Sequence, residues 1–100
     1  MRIGIVTREW PPDVYGGAGV HVDFLVRELQ KLIDVDVQCM GAPREGATAH
    51  SEDDARLVGA NPALRILSAD LTMTAAVSRS DLVHAHTWYA AMAGHWAKLL

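Results

Sequence analysis

The sequence predicts an α/β protein built on a parallel sheet with helices on both faces. Strand-like and helical segments alternate in the order β-α-β-loop-β-α-β-α, the pattern of a doubly wound sheet with right-handed crossovers. The first strand, Ile3–Thr7, is apolar on both faces, as a central parallel strand must be. A glycine-rich segment, Gly16-Gly17-Ala18-Gly19, then leads out of a long loop into the first helix.

Each element has its own signature. Arg8–Ala18 carries two prolines and two glycines and reads as a loop. From Gly19–Val20 onward, Val22, Leu25, Val26, Leu29, Leu32 and Ile33 recur at spacings of three and four, the apolar stripe of an amphipathic helix. Val35–Met40 alternates and is β-branched, which predicts the second strand. Gly41–Asp54 is rich in Gly, Pro, Ser, Thr, Glu and Asp and reads as a mobile loop; its acidic run, Glu52-Asp53-Asp54, reads as solvated. Leu64–Ser68 is assigned to a short third strand and Leu71–Val77 to a short helix with Met73 facing the core. Asp81–His86 is the fourth strand, and Tyr89–Leu100 the last helix. That helix has no cap, glycine or proline stop, so the chain is expected to be a piece of a longer protein.

Composition narrows the function. The chain has 100 residues, enough for one small domain, half of them apolar and 21% charged. A net charge of −3, with nine scattered Lys and Arg, provides no basic field for a nucleic-acid backbone. No apolar run approaches the ~20 residues of a membrane span, and the start is too short for a signal sequence. Cys39 is the only cysteine and lies in an apolar run, so it reads as a small buried residue. A reducing cytoplasm is the expected compartment.

In this architecture strands 1 and 4 are neighbours, and their outgoing loops diverge to opposite faces of the sheet. The divergence opens a crevice at the carboxyl ends of the strands, where ligands bind. The glycine loop leaves strand 1, and His86-Thr87-Trp88-Tyr89 leave strand 4, so two distant segments are expected to meet there. Free N–H groups and the positive end of the helix dipole suit a phosphate-bearing ligand. The competing explanation for Gly16, Gly17 and Gly19 is a tight turn needing positive φ; three glycines opening a helix favour the ligand.

Other chemistries fit less well. A dinucleotide fingerprint would follow strand 1 directly, carry a third glycine and place a carboxylate after strand 2; here eight residues separate Thr7 from Gly16, and strand 2 ends in Cys39-Met40-Gly41. No Lys-Ser/Thr follows the glycines, which removes a P-loop. His84 and His86 point to one side of their strand, but no further ligand at metal spacing accompanies them. His86 is placed at the crevice and His84 deeper, as a buried, hydrogen-bonded structural residue. His21 and His95 read as packing residues on helices and His50 as a loop residue. Trp96 reads as core, whereas Trp88 and Tyr89 could stack on a sugar. Glu9 and Asp13 lie near the loop mouth, as general acid or base or, more simply, as braces.

Three segments carry a resemblance: TREWPPDVYGGAGVHV from Thr7, DVQCMGAPR from Asp36 and HAHTWYAAMAGH from His84. Together they resemble the amino-terminal end of bacterial glycogen synthases, most closely the actinobacterial glycogen synthase or α-maltose-1-phosphate synthase type. The resemblance implies a retaining glycosyltransferase of the GT-B architecture, in which two Rossmann-like domains face each other across a cleft. Residues 1–100 would be the first part of the amino-terminal, acceptor-side domain. The carboxyl-terminal donor domain would lie outside the chain, and the piece alone would be inactive.

The implied reaction moves glucose from ADP-glucose to an α-1,4-glucan end or to glucose 1-phosphate, without a cofactor or bound metal. By position, Gly16 and Gly17 match the paired glycines whose backbone approaches the donor phosphates. His86 matches the second histidine of the H-x-H segment, beside the transferred sugar. Glu9, Tyr15, Trp88 and Tyr89 would line the cleft. One departure stands out: Val14 and Tyr15 occupy the positions of the Lys-Thr that precedes the paired glycines in other glycogen and starch synthases, which favours the actinobacterial branch. The implied partners are the nucleotide sugar and its acceptor, with no nucleic acid or membrane; a homodimer is one assembly this allows. The alternative is a non-catalytic α/β module that binds a phosphorylated ligand at the same glycine loop.

Overall fold

The structure is a computed structural model describing residues 1–100. Four parallel strands, β1 (Arg2–Thr7), β2 (Asp34–Met40), β3 (Thr48–His50) and β4 (Leu82–Ala85), form one sheet in the order β3-β2-β1-β4. The helices are α1 (Gly17–Leu29), α2 (Pro62–Val77) and α3 (Thr87–Leu99), with a short 3-10 turn at Ala55–Leu57. The expected α/β Rossmann-like class is the one observed.

β1 is central and is laddered on both edges, Ile5 facing Val37 on β2 and His84 on β4. It is also apolar on both faces, and each face feeds a separate core. Ile3 and Ile5 pack with Val37, Cys39, Trp10 and the α1 residues Val22 and Val26. Val6 and Met40 pack with Ile66, Ala69, Met73 and Val77 of α2 and Ala90 and Ala93 of α3. So α1 covers one face and α2 and α3 the other. Gly4 is required by closeness: a Cβ there would lie 2.8 Å from Ser80 Oγ and 2.9 Å from Val77 Cγ1. The fully buried Cys39 fits its sequence assignment, and burial raises its thiol pKa.

Several boundaries differ from the sequence reading. The third strand is Thr48–His50, inside the expected loop Gly41–Asp54. Leu64–Ser68 belongs instead to α2, which absorbs the Leu71–Val77 helix as well. Asn61 caps α2, its Oδ1 accepting from Ala63 N–H at 2.9 Å, and Pro62 takes the first helical position, where its missing N–H costs nothing. His50 is therefore no loop residue. Its ring bridges Thr72 Oγ1 of α2 (2.9 Å) and Gln38 Oε1 of β2 (2.6 Å). α1 ends before Leu32, which is 80% exposed rather than part of the apolar stripe. Trp96 is half-buried on α3, and His95 is exposed there rather than packed. Glu52 is not a solvated loop carboxylate, because it pairs with Arg8, and Asp54 caps the 3-10 turn.

Asp70 of α2 is fully buried, and neither carboxylate oxygen has a hydrogen-bond partner. Burial pushes its pKa up to about 7. Asp70 thus binds a proton on folding between its ordinary carboxylate range and about pH 7, so its contribution to stability falls as pH rises through that window. Asp70→Asn, which removes the buried charge and keeps the shape, is expected to raise stability at pH 8 by about 1–3 kcal/mol. The gain should shrink at pH 5, and thermal melts of both forms at the two pH values check it.

Candidate functional site

The site is made where β1 and β4 end side by side. His86 N–H donates to Val6 O at 2.9 Å, which locks the residue after β4 onto the end of β1. From there the chain exits β1 toward α1 on one face and exits β4 into α3 on the other. In a sheet of this topology the ligand crevice is formed between two such exits.

On the α1 side the loop Arg8–Gly16 is held by its own side chains. Glu9 Oε1 accepts the Tyr15 N–H, and Thr7 Oγ1 donates to Glu9 O at 3.1 Å. Arg44 ties the loop to the one after β2: Nη1 donates to Trp10 O at 2.8 Å, and Nη2 pairs with Asp13 at 3.0 Å. Trp10 Nε1 donates back to Glu45 O at 3.3 Å. Glu9 and Asp13 are therefore braces.

The glycines divide into two kinds. Gly19 is demanded by packing, since a Cβ would lie 2.8 Å from Val14 Cγ1 and 3.0 Å from Glu9 Cβ. Gly16 and Gly17 are not: a Cβ at either would meet nothing within 4 Å, and neither has positive φ. The tight-turn explanation is thus removed for this pair. Gly16 is the N-cap of α1 and, being glycine, leaves the first-turn N–H groups without a side-chain cap. Tyr15 beside them is 79% exposed.

His86, the N-cap of α3, is buried, and its Nε2 has no hydrogen-bond partner. The His84 ring stacks on it with centroids 4.3 Å apart, and the His21 ring of α1 lies 5.8 Å away. Burial first, then the neighbouring His84 and His21, lowers its pKa to about 4. At neutral pH His86 is an uncharged imidazole with one donor and one acceptor nitrogen. His84 itself is exposed, contrary to the sequence expectation. Within residues 1–100, β4 is an edge strand and α1 lies over β1 and β2, so His84 is not covered by α1. His21, read as a packing residue, is exposed beside His86. The three imidazoles do not converge on a point, and no cluster of three or more His, Cys, Asp or Glu is arranged to hold a metal ion.

Immediately after His86, Thr87 has φ of 64°, a left-handed conformation that costs a β-branched residue about 1–3 kcal/mol. The surrounding hydrogen bond and packing hold it there, so the direction of His86 at the head of α3 is imposed by the fold. Trp88 points outward, 59% exposed, with its ring 4.2 Å from that of Tyr89. Tyr89 is half-buried, and its face is taken by the Arg8 guanidinium, 4.5 Å from the ring centroid. Trp88 therefore remains the open aromatic surface. Arg8 also pairs with Glu52, Nε to Oε1 at 3.3 Å. Arg8 was not singled out in the sequence and His21 was read only as a packing residue; the fold brings both to this end of the sheet.

The charge state of His86 is directly measurable. Its ring resonance in histidine-labelled protein should titrate with a midpoint near 4. His84→Asn removes one of the two repelling imidazoles and should move that midpoint upward; an unmoved midpoint would show that burial alone sets it.

Comparison with known proteins agrees with this fold. Residues 15–100 match the family model described as Glycosyltransferase Family 4. The chain is 59% identical to the alpha-maltose-1-phosphate synthase of Mycolicibacterium smegmatis, over 101 aligned residues that cover all of this chain and 26% of that protein. It is also 59% identical over 100 residues to the alpha-maltose-1-phosphate synthase of Mycobacterium tuberculosis (strain H37Rv), again covering all of the chain and 26% of the relative. The chain thus spans about a quarter of the length of these relatives. On the strength of the family match, the Rossmann-like sheet and its crevice, the chain belongs to glycosyltransferase family 4, whose domain is the amino-terminal region of the GT-B architecture.

Proposed function

We propose that the full-length protein is a retaining glucosyltransferase that moves glucose from ADP-glucose to glucose 1-phosphate or to the end of an α-1,4-glucan. The observation that carries this reading is the buried, unpartnered Nε2 of a neutral His86 at the crevice. A buried polar nitrogen left open is costly unless a ligand satisfies it, and a sugar hydroxyl can. The name of the two relatives favours the sugar-phosphate acceptor.

In this reading the donor diphosphate lies against Gly16 and Gly17. No side chain intrudes there, and the uncapped N–H groups of α1 face it. As the glycosidic bond breaks, the sugar becomes oxocarbenium-like and negative charge grows on the diphosphate. Fixed backbone donors stabilise that charge without reorganising. His86 holds the transferred sugar by a hydrogen bond. Being neutral, it puts no positive charge beside an electron-deficient sugar. The proposed reaction uses no metal or cofactor. The remaining donor contacts belong to the second domain, so the 100-residue piece is expected to have no turnover. No helix of the chain is long and apolar enough to cross a membrane; the proposed site of action is the cytoplasm.

The test uses the full-length protein with ADP-glucose and either glucose 1-phosphate or glycogen, the product being identified by NMR. Maltose 1-phosphate in the α configuration, or extension of the glucan, is the expected outcome. Absence of product with both acceptors would favour a non-catalytic module that binds a phosphorylated ligand. His86→Ala should lower kcat by at least ~ten-fold, about 1.4 kcal/mol of lost transition-state stabilisation. Wild-type turnover in that variant would remove His86 from the site.

A further inference from the structure

Two arginines stand near the crevice on the segments leaving β1 and β2, and they differ in what they still have to offer. Arg44 is spent. Its side chain is 4% exposed, and its terminal nitrogens are engaged by Trp10 O and Asp13. Arg8 is not. Its side chain is 34% exposed, and it pairs with Glu52, Nε to Oε1, at 3.3 Å. Neither of its terminal nitrogens donates to any group of the protein, and the plane lies over the Tyr89 ring at 4.5 Å.

We propose that Arg8 binds the phosphate of a phosphorylated sugar acceptor and so selects that acceptor over a neutral glucan end. The proposal rests on the glucosyl-transfer reading above.

The location separates this phosphate from the donor's. The glycine loop runs into α1, which covers the face containing Ile3, Ile5 and Val37. Arg8 lies against Tyr89 at the head of α3 and against Glu52 on the segment leading to α2, and these helices cover the opposite face. The two anion-compatible groups therefore flank the carboxyl ends of β1 and β4 from opposite sides. His86, at the end of β4, belongs between them. A transferred sugar held at His86 would have its diphosphate leaving toward α1 and its acceptor arriving from the α3 side. Front-side delivery in a retaining transfer still needs the two substrates to occupy distinct anion sites, and the structure provides two.

The chemistry of the side chain fits a phosphate dianion. A guanidinium presents its terminal nitrogens as a planar fork that matches two phosphate oxygens. Tyr89 fixes the plane and Glu52 fixes the Nε edge, so little rotamer entropy remains to be lost on binding. Glu52 also sets a limit. Its Oε1 is shielded from solvent and accepts no hydrogen bond, so its charge acts on Arg8 alone and tempers the attraction for the phosphate. A neutral glucan end offers nothing for this fork to hold.

The experiment is calorimetric binding and steady-state kinetics on the full-length enzyme and three variants. In Arg8→Gln, Kd and KM for glucose 1-phosphate should rise at least ~ten-fold while those for ADP-glucose stay within about three-fold, as for loss of a charge-assisted bidentate contact. Arg8→Lys, which keeps the charge and loses the fork, should fall between. Glu52→Gln should tighten glucose 1-phosphate several-fold. An equal weakening of ADP-glucose in Arg8→Gln would make Arg8 a donor or packing residue, and unchanged glucose 1-phosphate binding would remove it altogether. Either result with an active wild-type enzyme overturns this proposal and leaves the glucosyl-transfer reading standing. A wild-type enzyme that neither binds nor turns over glucose 1-phosphate overturns the acceptor assignment itself.

Discussion

A backbone segment buried on both faces must find hydrogen-bond partners along both edges, and β1 finds them on β2 and β4. This one requirement organises the rest of the molecule. It puts β1 in the middle of the sheet and splits the apolar residues into two cores, one under α1 and one under α2 and α3. It also sends the chain leaving β1 and the chain leaving β4 to opposite faces. The crevice is the consequence of that divergence. Gly4 shows how tightly β1 is enclosed, because the turn between α2 and β4 closes on it with no room for a side chain.

Much of this could be read from the sequence where periodicity was strong. The apolar β1, the alternating β2, the helical spacing of Val22 and Val26 and the burial of Met73 all rest on local patterns that burial enforces. The third strand was placed wrongly for an equally physical reason. Thr48-Ala49-His50 is too short and too polar to carry a period, whereas Leu64-Arg65-Ile66-Leu67 looks strand-like over a short window. The decisive signal was the Asn61-Pro62 start, which marks a helix and outweighs the apolar run. At the site, the meeting of the glycine loop with His86 followed from topology. The exposure of His84 did not, since sequence alone does not reveal that α1 packs over β1 and β2 and stops short of β4. Arg8, Glu52 and Tyr89 are separated by tens of residues, and no local pattern links them.

The site also illustrates how one environment sets the properties of identical side chains. His84 and His86 sit two residues apart on the same face of one strand, yet one is exposed and the other buried with an open nitrogen. Burial first, and then the stacked His84 ring, holds His86 uncharged. The left-handed Thr87 then turns the chain directly into α3. Burial, repulsion and a strained backbone thus act together on a single imidazole.

The pleat of β4 has an implication for how such a protein can vary. Val83 and Ala85 face the helical core, and Leu82 and His84 face the other way with His86. Inserting or deleting one residue in this strand would exchange the two sets, moving the imidazoles into the apolar core and the core residues into the open. Function and folding would be lost in one step. Length changes are therefore confined to segments such as the one between Gly41 and Thr48, whose residues obey no alternation. β4 can diversify only by exchanging one side chain for another.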